Sequence, residues 1–304
     1  MKLAMVGLGR MGGNMVKRLA EGGHEIVAYD VDAAPGEALA AAYPAVEAAH
    51  DLRDMVARLP QPRVIWVMVP HQYVDASIDA LLDAGVTAGD LIIDGGNSNY
   101  KEGQRRGEEL KAQGIYFADC GTSGGVWGLQ NGYSLMIGGE DEAVALIAPA
   151  LTTLASNDGK GWGHVGPVGA GHFVKMVHNG IEYGMMQAFA EGFELMKAKE
   201  EFDLDMHQIA RVWQHGSVVS SWLLDLTGDA LEQDGDLSSL SDWMDDSGEG
   251  RWTVNEGIDL GVPTPVLALA LQMRFRSRET DAFAGKIVNA MRAGFGGHPI
   301  KPKA

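Results

Sequence analysis

Apolar positions in the first half of the chain fall into short runs that end at glycine, proline or aspartate, a pattern typical of buried strands. Stretches with helical spacing separate these runs. Strands are expected at 2–8, 25–29, 63–69, 91–94, 116–119 and 133–137. Helices are expected at 51–58, 72–83, 100–111 and 141–154, and a further helix after the first strand is expected to end near residue 22. This βαβ alternation predicts a mainly parallel, doubly wound sheet.

The alternation stops near residue 165, and the remaining pattern is helical. Loop glycines from Gly166 onward are expected to enter a long helix that runs to about 200. Helical segments at 206–214, 218–231 and 265–276, a polar glycine-rich loop at 245–253 and a last helix ending at Arg292 are also expected. We therefore predict the α/β class, with a doubly wound N-terminal domain over 1–165 followed by an all-α helical domain over 166–304.

The long helix carries a polar stripe within an otherwise apolar surface. At 100° per residue, His178, Asn179 and Glu182 fall on the same face as Lys175. Polar groups on a buried helix are costly unless they are paired or face a polar cavity. The stripe therefore favours a catalytic face that presents a lysine, an imidazole, an amide and a carboxylate to one substrate. A solvated surface stripe is the alternative.

A glycine motif follows the first expected strand and opens a helix. Its sequence, Gly7-Leu8-Gly9-Arg10-Met11-Gly12, is the G-x-G-x-x-G pattern of a Rossmann-type dinucleotide site. Gly7 permits the tight turn, Gly9 lets the backbone approach a pyrophosphate, and Gly12 lets helix and strand pack closely. The helix N-terminus then offers free N–H groups to the phosphates.

Asp30 ends the second expected strand, at the spacing where a carboxylate binds the ribose 2′-hydroxyl of a dinucleotide. No lysine or arginine follows it before Arg53, so a 2′-phosphate would be repelled. The sequence therefore favours NAD over NADP as the cofactor. Asp30 could instead simply cap the strand end, and Asp32 could share its role.

Glycine-rich loops follow two further expected strands. One contains Gly95, Gly96 and Asn97, and the other is Ser123-Gly124-Gly125. Ligands of doubly wound sheets bind beyond the carboxyl ends of the strands, so we expect both loops to contact a ligand. Val69, at the end of the strand at 63–69, is expected to line the cofactor site. For either loop alone, an ordinary glycine turn would be the favoured interpretation.

The 304 residues carry a formal net charge of -17, which argues against nucleic acid or an anionic membrane as a partner. The single cysteine, Cys120, excludes a disulfide framework and a cysteine-rich metal site, and we expect it to be a small buried filler. The N-terminus has no signal-peptide pattern, and no apolar run is long enough to span a bilayer. These features predict a soluble, cytoplasmic protein.

Positive charge is concentrated locally in the second half. Arg274, Arg276 and Arg278 form a basic group that favours an anion site over a solvated helix end. Near the C-terminus, three glycines and a proline follow Arg292. They are expected to end the last helix and to release a tail that carries His298.

Together these motifs resemble those of the decarboxylating 6-phosphogluconate dehydrogenases. The matching segments are the glycine motif, Asp94-Gly95-Gly96-Asn97-Ser98, Ser123-Gly124-Gly125, Lys175-Met176-Val177-His178-Asn179-Gly180-Ile181-Glu182-Tyr183, Gly250-Arg251-Trp252-Thr253, and Arg292 through His298. The glycine motif and the Ser123 loop are shared with the wider β-hydroxyacid dehydrogenases, whereas the Asp94 and Lys175 segments are more specific. The length is similar to that of the short form of the family, which lacks the second helical half of the longer enzymes.

The resemblance implies oxidation of 6-phosphogluconate to ribulose 5-phosphate and CO₂ in the pentose phosphate pathway, without a metal, by a homodimer or larger homo-oligomer. It implies Lys175 as the general base and Glu182 as the general acid. The implied ligands of the sugar acid are Asn97, Ser123, Gly124, Gly125, His178 and Asn179, and those of the phosphate are Tyr183, Arg274, Arg292 and His298. The last two would reach the substrate of the neighbouring subunit.

The sequence departs from the longer, NADP-dependent enzymes at two places. They carry an Asn-Arg-Thr run where this chain has Asp30-Val31-Asp32, which agrees with a preference for NAD. They also carry a lysine and a threonine where this chain has Ser247 and Glu249. Part of the phosphate site must then be supplied differently, by Arg251 or by Arg276, and we add Arg251 to the expected ligands.

Two other functions are compatible with parts of the sequence. A 3-hydroxyisobutyrate-type dehydrogenase would oxidise a β-hydroxyacid without decarboxylation, and would need neither the arginines nor Glu182. A non-catalytic NAD-sensing protein would keep the glycine motif but would not need Lys175 and Glu182. Because both side chains are present, we favour the decarboxylating enzyme.

Overall fold

The structure, a computed structural model, describes residues 1–296 and Pro299. The chain forms two compact units, one from Met1 to His178 and the other from Asn179 onward. The division falls within one continuous helix. The sequence-based domain boundary between 165 and 166 stays a prediction.

An eight-stranded sheet in the order β3-β2-β1-β4-β5-β6-β7-β8 forms the centre of the first unit. Its strands are β1 (Lys2–Val6), β2 (Glu25–Tyr29), β3 (Val46–Ala48), β4 (Val64–Val67), β5 (Leu91–Asp94), β6 (Tyr116–Ser123), β7 (Ser134–Gly139) and β8 (Trp162–Gly166). All neighbouring strands are parallel except β6 and β7, which are antiparallel. The strand order reverses between β1 and β4, and ligands of doubly wound sheets bind at such a point.

Helices cover both faces of this sheet. They are α1 (Arg10–Glu21), α2 (Ala33–Ala42), α3 (Leu52–Ala57), α4 (Val74–Asp83), α5 (Tyr100–Lys111), α6 (Gly128–Asn131) and α7 (Asp141–Leu154). Successive residues of β5 belong to different apolar clusters: Leu91 and Ile93 pack in one, and Ile92 packs in the other. Since a strand buried on both sides reads as a continuous apolar run, this explains the pattern in the sequence.

The second unit is helical throughout its described part. Helix α8 (Ala170–Lys197) begins in the first unit and continues into the second, followed by α9 (Met206–Gln214), α10 (Trp222–Gln233), α11 (Glu249–Asp259), α12 (Pro265–Arg276) and α13 (Phe283–Gly296). Small apolar clusters form its interior, one around Tyr183 and Leu271 and another around Leu224 and Leu231. The predicted fold class, a doubly wound α/β domain followed by helices, is confirmed.

Several elements were not anticipated from the sequence, and three of them lack a recognisable pattern. Strand β3 has only three residues, helix α2 is rich in alanine and lacks an apolar stripe, and the half-exposed strand β8 contains glycines. None of them has the periodicity on which a sequence-based prediction depends. In addition, β6 continues to Ser123, because its end pairs with β7. Ser123 therefore ends a strand and is not a loop residue.

Two expectations about the second half were wrong. The loop expected at 245–253 ends at Gly248, whose φ of 89° lets the chain turn directly into α11. The last helix does not end at Arg292 but continues through Gly294 to Gly296. Glycine weakens a helix by only about 1 kcal/mol, so it does not force an end.

Helix α8 is also less buried than its apolar sequence suggested. Ile181 is 51% exposed, Met185 40% and Leu195 74%. Within the described part of the chain, no helix is both long enough and apolar enough to be a candidate membrane span.

Candidate active site

The glycine motif occupies the turn between β1 and α1, as predicted. Gly7 has a φ of 93°, and a Cβ there would overlap the backbone of Met68, so only glycine fits. A Cβ at Gly12 would overlap the carbonyl oxygen of Gly7, which shows how closely α1 approaches the turn. A Cβ at Gly9 would meet no atom within 4 Å. The backbone there is therefore accessible to a ligand.

A cavity of about 330 Å³ lies beside this motif, at the carboxyl edge of the sheet. Its lining residues follow β1, β4 and β5 or belong to β6: Gly9, Arg10, Met11, Gly12, Met68, Val69, Gly95, Gly96, Asn97 and Thr122. The cavity thus brings together part of the glycine motif, Val69 and the Asn97 loop, whereas Gly7, Leu8 and Asp30 are not among its lining residues. Met68 and Thr122 were not predicted as site residues from the sequence, although each is adjacent to a predicted one, Val69 or Ser123.

Asp30 connects the end of β2 to the glycine motif. One carboxylate oxygen accepts a hydrogen bond from Leu8 N at 2.6 Å, and the other accepts from Asp32 N at 3.0 Å. Asp32 in turn caps α2 by accepting from Ala34 N at 3.1 Å. The Asp30 carboxylate therefore acts as a cap and retains lone pairs that can accept a ribose hydroxyl. This arrangement and the cavity fit a dinucleotide.

A buried ion pair anchors the loop that carries Asn97. Asp94 is fully buried, accepts from Gly96 N at 3.0 Å, and receives a hydrogen bond from Arg106 Nη1 at 3.1 Å. The Nε of Arg106 donates to Asp75 at 2.7 Å, and mainly for this reason the pKa of Asp75 is lowered to about 2. The Asp94–Arg106 pair joins residues 12 apart in the chain and was not predicted from the sequence.

His178 lies between Lys175 and Ser123. Its Nδ1 is 3.5 Å from Lys175 Nζ, and its Nε2 is 3.4 Å from Ser123 Oγ. Ser123 ends β6, next to Thr122 in the cavity wall, and Gly124 follows with a φ of 119°. The first unit therefore brings together a lysine, an imidazole and a hydroxyl at the edge of the sheet that holds the cavity.

The remaining residues expected on α8 belong to the second unit. Because α8 is continuous, Asn179 and Glu182 share the helical face of Lys175, as predicted. Tyr183 is buried, and its hydroxyl accepts from Ser247 N at 3.3 Å. The guanidinium of Arg274 lies 3.6 Å from the centre of the Tyr183 ring. Two of the expected phosphate ligands are therefore in direct contact.

The other expected phosphate ligands have different surroundings. Arg251 and Arg278 share the carboxylate of Asp246, with distances of 2.8 and 2.9 Å, and Arg251 above all holds the pKa of that carboxyl well below its usual range. Arg276 is exposed and pairs with Glu279 at 2.8 Å, as a solvated helix end would. Arg292 is exposed on α13. His298 lies outside the described residues.

Among the described residues, no group of three or more histidine, cysteine, aspartate or glutamate side chains is placed to hold a metal ion. Cys120 is buried, as expected, and burial raises the pKa of its thiol to about 12.

Two family models cover most of the chain. The NAD binding domain of 6-phosphogluconate dehydrogenase matches residues 2–166, and the C-terminal domain of the same enzyme matches residues 171–299. The first unit therefore carries an NAD-binding domain. The longer relatives extend beyond this chain, since a solved 6-phosphogluconate dehydrogenase structure from Plasmodium falciparum is covered over 67% of its length.

Individual relatives give the same result. The NAD(+)-dependent, decarboxylating 6-phosphogluconate dehydrogenase of Haloferax volcanii is 43% identical over 306 residues, which are 100% of this chain and 99% of that protein. YqeC of Bacillus subtilis, provisionally named a 6-phosphogluconate dehydrogenase, is 45% identical over 303 residues and 100% of both chains. The Plasmodium falciparum structure superposes on 100% of this chain with a TM-score of 0.84 and 27% identity. The chain therefore belongs to the 6-phosphogluconate dehydrogenase family, a family of oxidoreductases.

Proposed function

We propose that this protein is an NAD-dependent, decarboxylating 6-phosphogluconate dehydrogenase that supplies ribulose 5-phosphate in the pentose phosphate pathway. The observation that carries the proposal is the row of Lys175, His178 and Ser123, with separations of 3.4 and 3.5 Å, at the sheet edge that holds the cavity. The name of the Haloferax volcanii relative supports the substrate class and the cofactor.

The residues that would hold the cofactor are those of the glycine motif, Asp30 and the cavity wall. The backbone of Gly7 to Gly12 and the N-terminus of α1 would bind the pyrophosphate. Asp30 would bind the ribose hydroxyls, and Val69 and Asn97 line the cavity beside the glycine motif. When bound, NAD accepts the hydride that the substrate loses.

Lys175 and Glu182 divide the proton transfers between them. In this mechanism Lys175, in its neutral form, removes the proton of the C3 hydroxyl. The resulting β-keto acid loses CO₂ readily because its keto group accepts the electrons, and protonated Lys175 polarises that group. Glu182, two turns along the same helical face, then protonates C1 of the enediol. General acid–base catalysis of this kind contributes roughly 10²–10⁴-fold for each group.

Polar side chains around these two residues would hold the substrate. In this proposal the sugar acid contacts Asn97, Ser123, Gly124, Gly125, His178 and Asn179. The phosphate contacts Tyr183, Arg251 and Arg274 of the same chain. The Tyr183 ring and the carbonyl of Asp245, which accepts from Arg274 at 2.6 Å, fix the Arg274 guanidinium. A guanidinium fixed in this way binds a phosphate with less loss of entropy.

Replacing Lys175 tests this assignment. Lys175→Ala should abolish NADH formation from 6-phosphogluconate while NAD binding is retained, because the NAD-binding residues are unchanged. Glu182→Gln should slow the proton transfer to C1 and also retain NAD binding. Lys197→Ala is the matched control, since Lys197 lies on the same helix, is exposed and pairs only with Asp236 among the described residues. Normal turnover by Lys175→Ala would exclude the mechanism.

We also propose a homodimer whose active sites are shared between chains. Helix α13 presents Phe283, Ile287 and Met291 at four-residue spacing, and they are 71%, 44% and 54% exposed. An exposed apolar stripe of this kind supports packing against another chain. In this arrangement Arg292 and His298 contact the phosphate bound by the neighbouring subunit.

Subunit complementation tests the shared site. Inactive Lys175→Ala subunits are mixed with inactive Arg292→Ala/His298→Ala subunits under conditions that allow exchange. In a hybrid dimer with shared sites, one site carries both defects and the other carries neither, so activity should return. If exchange is demonstrated by labelled subunits and no activity returns, the shared site is excluded.

A further inference from the structure

A buried carboxylate from the sheet caps the start of helix α8. Asp119, on β6, is fully buried. One of its oxygens accepts a hydrogen bond from Gly169 N at 2.6 Å, and the other accepts from His172 N at 2.7 Å. Backbone N–H groups in the first turn of a helix have no partner within the helix. The strand therefore supplies the cap that the helix sequence itself lacks.

The start of this helix supplies the hydrogen-bond donors of the buried Asp119 carboxylate. Asp94, its register neighbour on β5, is paired with Arg106, whereas the closest basic group to Asp119 among the described residues is His172, with Nδ1 3.9 Å away. A buried carboxylate is costly unless donors or positive charge compensate it. The two N–H groups and the positive end of the α8 dipole supply that compensation. Displacing the helix start would leave a buried charge without its donors.

Glycines bring the helix and the strand into direct backbone contact beside this cap. A Cβ at Gly121 would overlap the Cβ of Lys175 and approach the carbonyl oxygen of Gly171 to 2.6 Å. A Cβ at Gly171 would lie 2.5 Å from the carbonyl oxygen of Asp119. Lys175 therefore lies directly against β6, two residues before the strand ends at Ser123.

We infer that Asp119 is a positioning residue for the reaction: its carboxylate fixes the start of α8 against β6 and thereby sets the placement of Lys175 relative to Ser123. The inference rests on the proposed function, in which Lys175 is the general base. Displacement of a catalytic group by about 1 Å can reduce the rate by roughly 100-fold. Because the cap fixes the first turn of α8, loss of the cap would displace Lys175, which lies one turn further along the helix.

The test compares Asp119→Asn with Asp90→Asn. Asparagine offers one acceptor oxygen, and its NH₂ group would face the second backbone N–H. Asp90 is a matched control because it is also fully buried and accepts from two backbone N–H groups, of Arg63 at 2.8 Å and Thr87 at 2.9 Å. It lies at the opposite edge of the sheet, just before β5. It also pairs with Arg63, so its loss should be at least as destabilising.

Both variants should have a lower midpoint of thermal unfolding than the wild type, but only Asp119→Asn should have a lower kcat. At a temperature where both are folded, its kcat for 6-phosphogluconate should fall by about 10- to 100-fold, with Kd for NAD within about twofold of the wild type. Gly121→Ala should also lower kcat, because its Cβ displaces Lys175 without removing a charge. Equal kcat for Asp119→Asn and Asp90→Asn would overturn the inference.

Amide hydrogen exchange separates this inference from the proposed function. The amides at 169–172 should exchange faster in Asp119→Asn than in Asp90→Asn, whether or not the enzyme acts on 6-phosphogluconate. Unchanged exchange at these amides would overturn the inference. A wild-type protein that fails to oxidise 6-phosphogluconate would instead contradict the proposed function.

Discussion

Replacing Arg106 should destabilise the first unit much more than replacing its neighbour Arg105. The side chain of Arg106 is 4% exposed and pairs with Asp94, which is 0% exposed, at 3.1 Å. Removing one partner of a buried pair costs about 3–5 kcal/mol, because the other charge stays buried. Arg106 is the only basic partner of Asp94 among the described residues. We therefore expect Arg106→Ala to reduce the free energy of unfolding by that amount.

Arg105 makes more ion pairs but should matter less. Its nitrogens lie 2.8 to 2.9 Å from Asp75, Glu102 and Glu109, yet its side chain is 41% exposed and those of its partners are 51 to 61% exposed. Exposed pairs typically contribute about 0.2–1 kcal/mol each, and solvent and salt screen them. We expect Arg105→Ala to cost about 1 kcal/mol in total. If the number of ion pairs determined stability, Arg105→Ala would be the more destabilising substitution, whereas the burial of the pairs predicts that Arg106→Ala is.

Urea unfolding of the two variants and the wild type, followed by circular dichroism, distinguishes these two expectations. The midpoint should shift strongly for Arg106→Ala and little for Arg105→Ala, with similar slopes. Because Asp94 also holds Gly96 N, Arg106→Ala should in addition raise KM for the substrate. Equal destabilisation by the two substitutions would refute the argument from burial.

Three further substitutions or treatments test other parts of the account. Arg274→Ala should raise KM for 6-phosphogluconate at least about tenfold, since hydrogen bonds to charged groups contribute about 1.5–3 kcal/mol. Arg276→Ala, at an exposed position, is the control, and equal effects of the two substitutions would contradict the role of Arg274 as a phosphate ligand. Because burial raises the pKa of the Cys120 thiol to about 12, a thiol reagent at pH 8 should label the unfolded but not the native protein; rapid native labelling would contradict this. The wild type should have a higher kcat/KM with NAD than with NADP, and Asp30→Ala combined with Val31→Arg should shift that ratio toward NADP; a wild-type preference for NADP would show that the interpretation of Asp30 is wrong.

Local patterns made the main elements of the fold predictable. Neighbouring residues alone determine the glycine motif and the patterns at 91–94 and 100–111. The structure has β5 at 91–94 and α5 at 100–111. The same applies to the α8 stripe, which needs only the helical period. Spacing could also have shown that Arg274 and Arg276 do not form one cluster. Residues two apart on a helix point in nearly opposite directions, and their contacts differ accordingly.

Non-local packing accounts for what the sequence did not show. The Asp94–Arg106 pair and the Asp119 cap depend on the register of β5 and β6 and on the helices that pack over them. No short-range pattern distinguishes these two aspartates from ordinary strand ends. Similarly, the bidentate contact of Arg251 with Asp246 depends on how the chain turns at Gly248 into α11.

Oxidative decarboxylation is tested by measuring NADH and CO₂ in the same reaction, with 6-phosphogluconate as the substrate. We expect NADH and CO₂ in equal amounts, formation of ribulose 5-phosphate, and little or no NADH from 3-hydroxyisobutyrate. NADH formation without CO₂, or turnover of 3-hydroxyisobutyrate in place of 6-phosphogluconate, would contradict the proposed oxidative decarboxylation.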